Sequence, residues 1–207
     1  MVGQISDQSR IDEKGRTRWQ LNERIGDQLA RLGDYLVIGG YEESHTTVYK
    51  RLSYAISRWP ESLETLRHEG RLKELPSVGP TIQALLAELV DTGTCAKWED
   101  WKARVPESVL ELRDIPGLGA KMVRGLYMEF GIDDLVKLRA AVDDGWLTQI
   151  PGLGPKTVTS IRRHLEARDR GEVGGVYRGF SHDGSPNAAL AIRKRMAMNF
   201  RASLQRV

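Results

Sequence analysis

Apolar residues in the first half of the chain recur at spacings of three and four. Leu21, Ile25, Leu29, Leu32 and Leu36 predict an amphipathic helix over residues 19–37, which Gly39-Gly40 ends. Val48, Leu52, Ala55 and Ile56 predict a second over residues 43–59, stopped by Pro60, and residues 61–68 form a short third closed by Gly70. Further helical runs follow at 80–90, 106–112, 122–130, 133–142 and 157–165. Pro80 opens the first of these where proline is tolerated, and Asp133 reads as a helix start signal. Leu190, Met196, Phe200 and Leu204 mark a last, basic helix over about residues 187–205. No segment alternates as a strand should, so the fold class is all α. Residues 1–17 are polar and unpatterned and read as a mobile arm.

Between the helices stands a repeat: Ile115-Pro-Gly-Leu-Gly-Ala-Lys121 returns 35 residues later as Ile150-Pro-Gly-Leu-Gly-Pro-Lys156. A looser copy, Leu75-Pro-Ser-Val-Gly-Pro-Thr-Ile82, lies upstream. Tight turns between helices need backbone where positive φ is cheap, and Gly117, Gly119, Gly152 and Gly154 supply it. They also remove bulk. A phosphate can then approach the free amides opening the next helix, those of Ala120 onward in the first copy, where the helix dipole is positive. Lys121 and Lys156 add a full charge beside each turn. Such a site grips phosphate and reads no base, so it predicts sequence-independent nucleic-acid binding. One such turn alone could merely join two packed helices; near-identical repetition with lysine at the same offset favours the phosphate reading.

Composition narrows the class. With 29% charged and 40% hydrophobic residues the chain is neither disordered nor a membrane protein, and no apolar run reaches spanning length. Residues 1–18 lack the apolar stretch of a signal peptide, so a cytoplasmic location is expected, nucleoid-associated if bacterial. Cys95 is the single cysteine, and His45, His68, His164 and His182 are scattered, so no zinc or iron-sulfur site is spelled out. Charge is uneven. Within an overall net +3, residues 174–207 set Arg178, Arg193, Lys194, Arg195, Arg201 and Arg206 against Asp183 alone. A basic segment behind the glycine-rich stretch 171–186 marks an arm for an acidic partner, with Arg193, Lys194 and Arg195 as candidate contacts. Trp98 and Trp101, three apart, read as core aromatics sealing a junction between lobes.

Residues 19–170 together resemble the amino-terminal portion of family X DNA polymerases. The resemblance rests on the opening helix from Asn22 to Leu36 and on Val48-Tyr-Lys-Arg-Leu-Ser-Tyr-Ala-Ile56. It extends through the hairpin Gly70-Arg-Leu-Lys-Glu-Leu-Pro-Ser-Val-Gly79, Thr92-Gly93 and the later pair of hairpins. It implies a helical lobe with a first helix-hairpin-helix (19–95) and a tandem helix-hairpin-helix domain (96–170), to which composition adds an arm (1–18) and a glycine-rich linker with basic helix (171–207). It implies DNA as partner, gapped, nicked or duplex, with a possible repair-protein partner and no membrane. It also implies a monovalent cation, sodium or potassium, on the carbonyls of Arg113, Ile115 and Leu118 and of Thr148, Ile150 and Leu153; no other cofactor is expected. Of that family's 5′-phosphate pocket, Tyr49 and Lys73 match in type, while His45 and Thr81 stand where lysines would, beside Gly79.

The departures bear on chemistry. Residues 171–207 carry no Gly-Ser-x-Arg-Arg turn and no Asp-x-Asp pair, so two-metal nucleotidyl transfer is not expected of them. Leu85 stands where the family's lyase members place a Schiff-base lysine, and Ser77 replaces the first hairpin glycine. The leading expectation is a non-catalytic, sequence-independent DNA-binding protein serving repair or recombination. Two alternatives stand beside it: an abasic-site lyase using Lys50, Lys73 or Lys97, and a protein-interaction scaffold. Deleting residues 174–207 should lower duplex affinity several-fold and flatten its salt dependence, as fluorescence anisotropy at two salt concentrations will show. If neither changes, the tail closes the fold or docks on a protein.

Overall fold

The computed structural model describes residues 8–172. Among them the fold is all α apart from one small ribbon. The chain divides into two compact units, residues 1–104 and 105–207.

The ribbon corrects the expectation of an unpatterned arm. Strand β1 (Ser9–Ile11) pairs antiparallel with β2 (Thr17–Trp19), Ser9 lying opposite Trp19. Three-residue strands are too short to display alternation, and what fastens them is polar. Asp12 accepts the backbone amides of Arg16 and Lys14 at 3.0 and 2.9 Å, which turns the chain. The Arg16 amide foremost, with the Arg16 and Arg18 guanidinium groups adding to it, holds the Asp12 carboxyl well below the usual carboxylate range against the effect of burial. Arg18 is buried, and its Nη1 donates to the Ser57 carbonyl at 3.1 Å. The Trp19 indole donates to the Pro60 carbonyl at 2.9 Å. These long-range contacts pin the ribbon to the first helical unit.

That unit is built on α1 (Gln20–Ile38) and α2 (Glu43–Ile56). The second helix stops three residues short of the predicted end, because the Ser57 hydroxyl turns back to the Ser53 carbonyl. Helices α3 (Leu63–His68), α4 (Pro80–Thr92) and α5 (Ala96–Lys102) complete it. Ile25, Leu29 and Leu32 of α1 meet Leu52 and Ile56 of α2 and Leu86 of α4 in one core. Asn22 is fully buried yet satisfied: it donates to the Glu61 carbonyl at 2.9 Å and accepts the Leu63 amide at 2.8 Å, fixing the turn into α3. The Trp98 ring packs on Tyr35 at 5.5 Å and Trp101 meets Tyr41 edge-on at 6.0 Å. Those contacts draw α5 into the first unit.

The second unit holds α6 (Val109–Arg113), α7 (Ala120–Phe130), α8 (Leu135–Asp143) and α9 (Pro155–Asp169). Asp134, and not Asp133, caps α8: its carboxylate accepts the Lys137 amide at 2.7 Å, while Asp133 pairs with the Lys137 ammonium. One residue of phase decides which of the two adjacent aspartates can reach that amide.

The first hairpin keeps the backbone of the other two despite its serine. Ser77 has φ 63°, the only non-glycine among the described residues with positive φ, at the position that Gly117 and Gly152 fill with φ 94° and 86°. A side chain there costs roughly 1–2 kcal/mol. Ser77→Gly should therefore stabilise the protein by about 1 kcal/mol, visible as a higher urea midpoint at unchanged slope.

Candidate functional site

The two close copies of the hairpin lie in the second unit and are built alike. In each, the amide of the buried leucine donates across the turn at 3.0 Å, Leu118 to the Ile115 carbonyl and Leu153 to the Ile150 carbonyl. Proline stands second and a positive-φ glycine third, the pattern of a type II turn. The turn ends at Gly119 or Gly154, the N-caps of α7 and α9.

The glycines divide into two kinds. A Cβ on Gly152 would lie 2.7 Å from Met122 Cε, and one on Gly117 would lie 3.5 Å from Thr157 Cγ2. Met122 and Thr157 occupy equivalent positions in the two copies, so each hairpin presses its following helix onto the other's turn. The Ser160 hydroxyl adds a cross-link, donating to the Pro116 carbonyl at 3.0 Å. The result is a pseudo-twofold pair. Gly119 and Gly154 behave otherwise. Their φ angles of −77° and −72° suit any residue, and a Cβ on either would meet no atom within 4 Å. Neither helix start carries a side-chain cap. The fold itself does not require glycine there; the first amides of α7 are open to an external acceptor, and in α9, where Pro155 has no N–H and the Thr157 amide donates to the Gly154 carbonyl at 3.0 Å, that of Lys156 is.

Around these openings the surface is basic. Lys121 and Lys156 are exposed one residue into their helices. Arg124, one turn beyond Lys121, and Arg163, two turns beyond Lys156, continue the same faces, and Arg162 stands beside Arg163. Arg124, Lys156, Arg162 and Arg163 are exposed and form no salt bridge among the described residues. Sequence reasoning missed Arg124, Arg162 and Arg163, although helical phase from the two lysines carries the signal for the first and last. Arg139 and Arg168, by contrast, are engaged with Asp169 and Glu111 at 2.8 and 2.9 Å. Burial, reinforced by Arg168, pushes the His164 pKa down, so this face owes its charge at neutral pH to lysine and arginine.

The remaining predicted contacts are spread more loosely. In the first hairpin Lys73, Gly79 and Thr81 are exposed, and a Cβ on Gly79 would again meet nothing within 4 Å. Tyr49, however, is 5% exposed and packs in the core of the first unit, which leaves little of it for a phosphate. Leu85 is buried in the same core. Of the three amines weighed as displaced nucleophiles, Lys50 pairs with Asp34 at 3.0 Å and Lys73 is exposed. Lys97 lies over the Tyr41 and Tyr49 rings at 4.7 and 5.9 Å. Arg193, Lys194 and Arg195 lie outside the described residues. Among the described residues no helix is long and apolar enough to cross a membrane, and no three His, Cys, Asp or Glu side chains converge as metal ligands.

The implied cation fits the two hairpins differently. The carbonyls of Thr148, Ile150 and Leu153 are neutral oxygen donors of the kind a hard monovalent ion prefers, and no side chain among the described residues donates to the Leu153 carbonyl. In the other copy the Leu118 carbonyl accepts Nη1 of Arg113 at 3.3 Å. A guanidinium already stands on one of that hairpin's three donors, so the set does not suit a metal cation.

A family model described as a SAM-like helix-hairpin-helix tandem matches residues 109–168. Those residues are a tandem helix-hairpin-helix region. The chain is 25% identical over 137 residues to the DNA polymerase/3′-5′ exonuclease PolX of Bacillus subtilis (strain 168), covering 66% of this chain and 24% of that protein. It is 32% identical over 99 residues to the Holliday junction branch migration complex subunit RuvA of Pseudomonas savastanoi pv. phaseolicola (strain 1448A / Race 6), 48% of each chain. The RuvA of Cupriavidus necator is 28% identical over 102 residues, 49% of this chain and 53% of its own. The chain thus spans about a quarter of the polymerase's length and about half that of the RuvA proteins.

The two kinds of glycine should separate in the laboratory. Gly152→Ala should lower stability by about 1–2 kcal/mol, since alanine disfavours positive φ and would displace Met122. Gly154→Ser should leave stability unchanged or slightly raised, since serine caps helices well, yet should weaken DNA binding several-fold by occupying the amides itself. Equal effects of both on stability would show that the second glycine is also a folding requirement.

Proposed function

We propose that this chain is a non-catalytic DNA-binding protein that grips the sugar-phosphate backbone without regard to sequence, as an accessory in DNA repair or recombination. The observation that carries the reading is the open, uncapped helix start at Gly119 and Gly154, repeated about a pseudo-twofold with lysine at the same offset. Two such openings suit two phosphates. Amides and lysine ammonium groups reach phosphate oxygens and not base edges, hence the lack of sequence preference. The tandem helix-hairpin-helix match supports it, and so do relatives whose names include a DNA polymerase/exonuclease and a Holliday junction branch migration subunit. Arg124 and Arg163 extend the grip along both helices. A preference for gapped, nicked or branched DNA belongs to the same proposal, as does a cytoplasmic or nucleoid location.

The test is charge reversal at both hairpins. Lys121→Glu combined with Lys156→Glu should reduce duplex affinity by more than tenfold and flatten the log–log salt slope by about 2, one for each phosphate that a lysine no longer neutralises. Circular dichroism should report unchanged helicity. Duplex, nicked, gapped, branched and single-stranded substrates compared at two salt concentrations will identify the preferred structure. Unchanged affinity at unchanged helicity would remove the hairpins from the site and favour a protein-docking role.

A further inference from the structure

The outer face of α2 carries chemistry that the hairpins do not use. Tyr49, Leu52 and Ile56 are buried in the core of the first unit, while Arg51, Tyr54 and Arg58 follow one another at three and four residues and are exposed. Tyr54 is 65% exposed, and the Arg58 guanidinium lies 3.8 Å from the centre of its ring. Arg58 is itself tied down, donating to the Tyr54 carbonyl at 3.2 Å. One face of the ring is therefore covered and the other is available. An open groove of about 570 Å³ adjoins it, lined by Glu23 and Asp27 of α1 and by Lys50, Ser53, Tyr54 and Arg58 of α2. Its charges differ in how they are used. Glu23 receives Arg10 at 2.7 Å and Lys50 pairs with Asp34 at 3.0 Å, whereas Asp27 is exposed and makes no hydrogen bond or ion pair among the described residues.

We propose that this groove holds an unpaired nucleobase of single-stranded DNA, stacked on Tyr54 with its polar edge against Asp27. A phosphate is repelled by the carboxylates of Glu23 and Asp27, but a base is uncharged and offers a π face to the ring. An ionised carboxylate only accepts hydrogen bonds. Guanine suits it best, because two adjacent N–H groups on its pairing edge meet both carboxylate oxygens. Thymine suits it worst, because its single N–H lies between two carbonyls. Arg51 and Arg58 supply positive charge for the phosphates on either side of the base. A duplex keeps its bases paired and stacked, so the groove engages only unpaired DNA and adds a preference that backbone contacts at the hairpins cannot give. The inference rests on the DNA-binding reading above.

The test compares a short oligothymidine with the same strand carrying one central guanine, and with duplex, by fluorescence anisotropy. The wild-type chain should bind the guanine strand about fivefold more tightly than oligothymidine. Asp27→Ala should abolish that preference without weakening oligothymidine binding, since it removes a group that repels phosphate. Tyr54→Ala should weaken both single strands by about fivefold or more and leave duplex affinity unchanged, and Tyr54→Phe, which keeps the ring, should bind as wild type does. Thermal melting by circular dichroism checks that each variant is folded, and if Tyr54→Ala is not, Asp27→Ala decides. The Lys121→Glu, Lys156→Glu chain should bind more weakly but keep the guanine preference, which separates the groove from the hairpins. No guanine preference in the wild-type chain, or one that survives Asp27→Ala, overturns the proposal. So does a folded Tyr54→Ala that loses nothing on single strands, which would leave the groove to a peptide. A wild-type chain that binds no DNA of any kind overturns the phosphate reading itself.

Discussion

A type II turn forces its third residue into left-handed backbone, and in this protein that single requirement sets where two helices begin. Gly117 and Gly152 meet it at φ 94° and 86°, and the leucine amide closes each turn just before the helix start at Gly119 or Gly154. A Cβ on Gly117 would meet Thr157 of the opposite copy at an ordinary contact distance, whereas at Gly152 the missing Cβ also makes room for Met122, which it would approach to 2.7 Å. Local backbone conformation and long-range packing are thereby satisfied at one atom position. The first hairpin shows how strong the demand is, because Ser77 accepts φ 63° at a cost its neighbours avoid.

What the fold leaves unused is as informative as what it uses. Gly119 and Gly154 have ordinary φ and open space where a side chain would project, and the amides behind them lack caps. Among the described α-helices only those after Ser62 and Asp134 carry side-chain caps, so what sets these two starts apart is the exposed glycine, the lysine at one offset and their repetition. Beside them stand exposed lysines at one offset, with further exposed arginines down the same helix faces. The nearby His164 adds little charge to these faces, since burial and Arg168 push the imidazole pKa down.

The first unit follows a different logic, in which buried polar groups fix the loops. Asn22 satisfies the turn into α3 from both of its ends, and Asp12 gathers two amides and two arginines to fold the ribbon. Breaking either arrangement would strand a buried donor or charge, which costs more than an exposed pair of the same kind yields. In the comparison between the units, the first is braced by contacts far apart in sequence and the second by a repeated local motif.

The helices and hairpins were legible from sequence because their determinants are local. Spacing of three and four marks a buried face, proline and glycine mark a type II turn, and repetition at 35 residues marks two equivalent sites. Everything that depended on a distant partner was not legible. The ribbon at residues 9–19 is held by Ser57 and Pro60, some forty residues away, and its strands are too short to alternate. Tyr49 resembled a surface contact by residue type, but the packing of α2 against α1 buries it in the core of the first unit. The sequence placed Arg113 among carbonyl donors, and only the folded side chain brought its guanidinium onto the Leu118 oxygen. A chain specifies its turns and periodicities residue by residue, whereas the partner a side chain finds is decided by the directions in which packed helices finally point it.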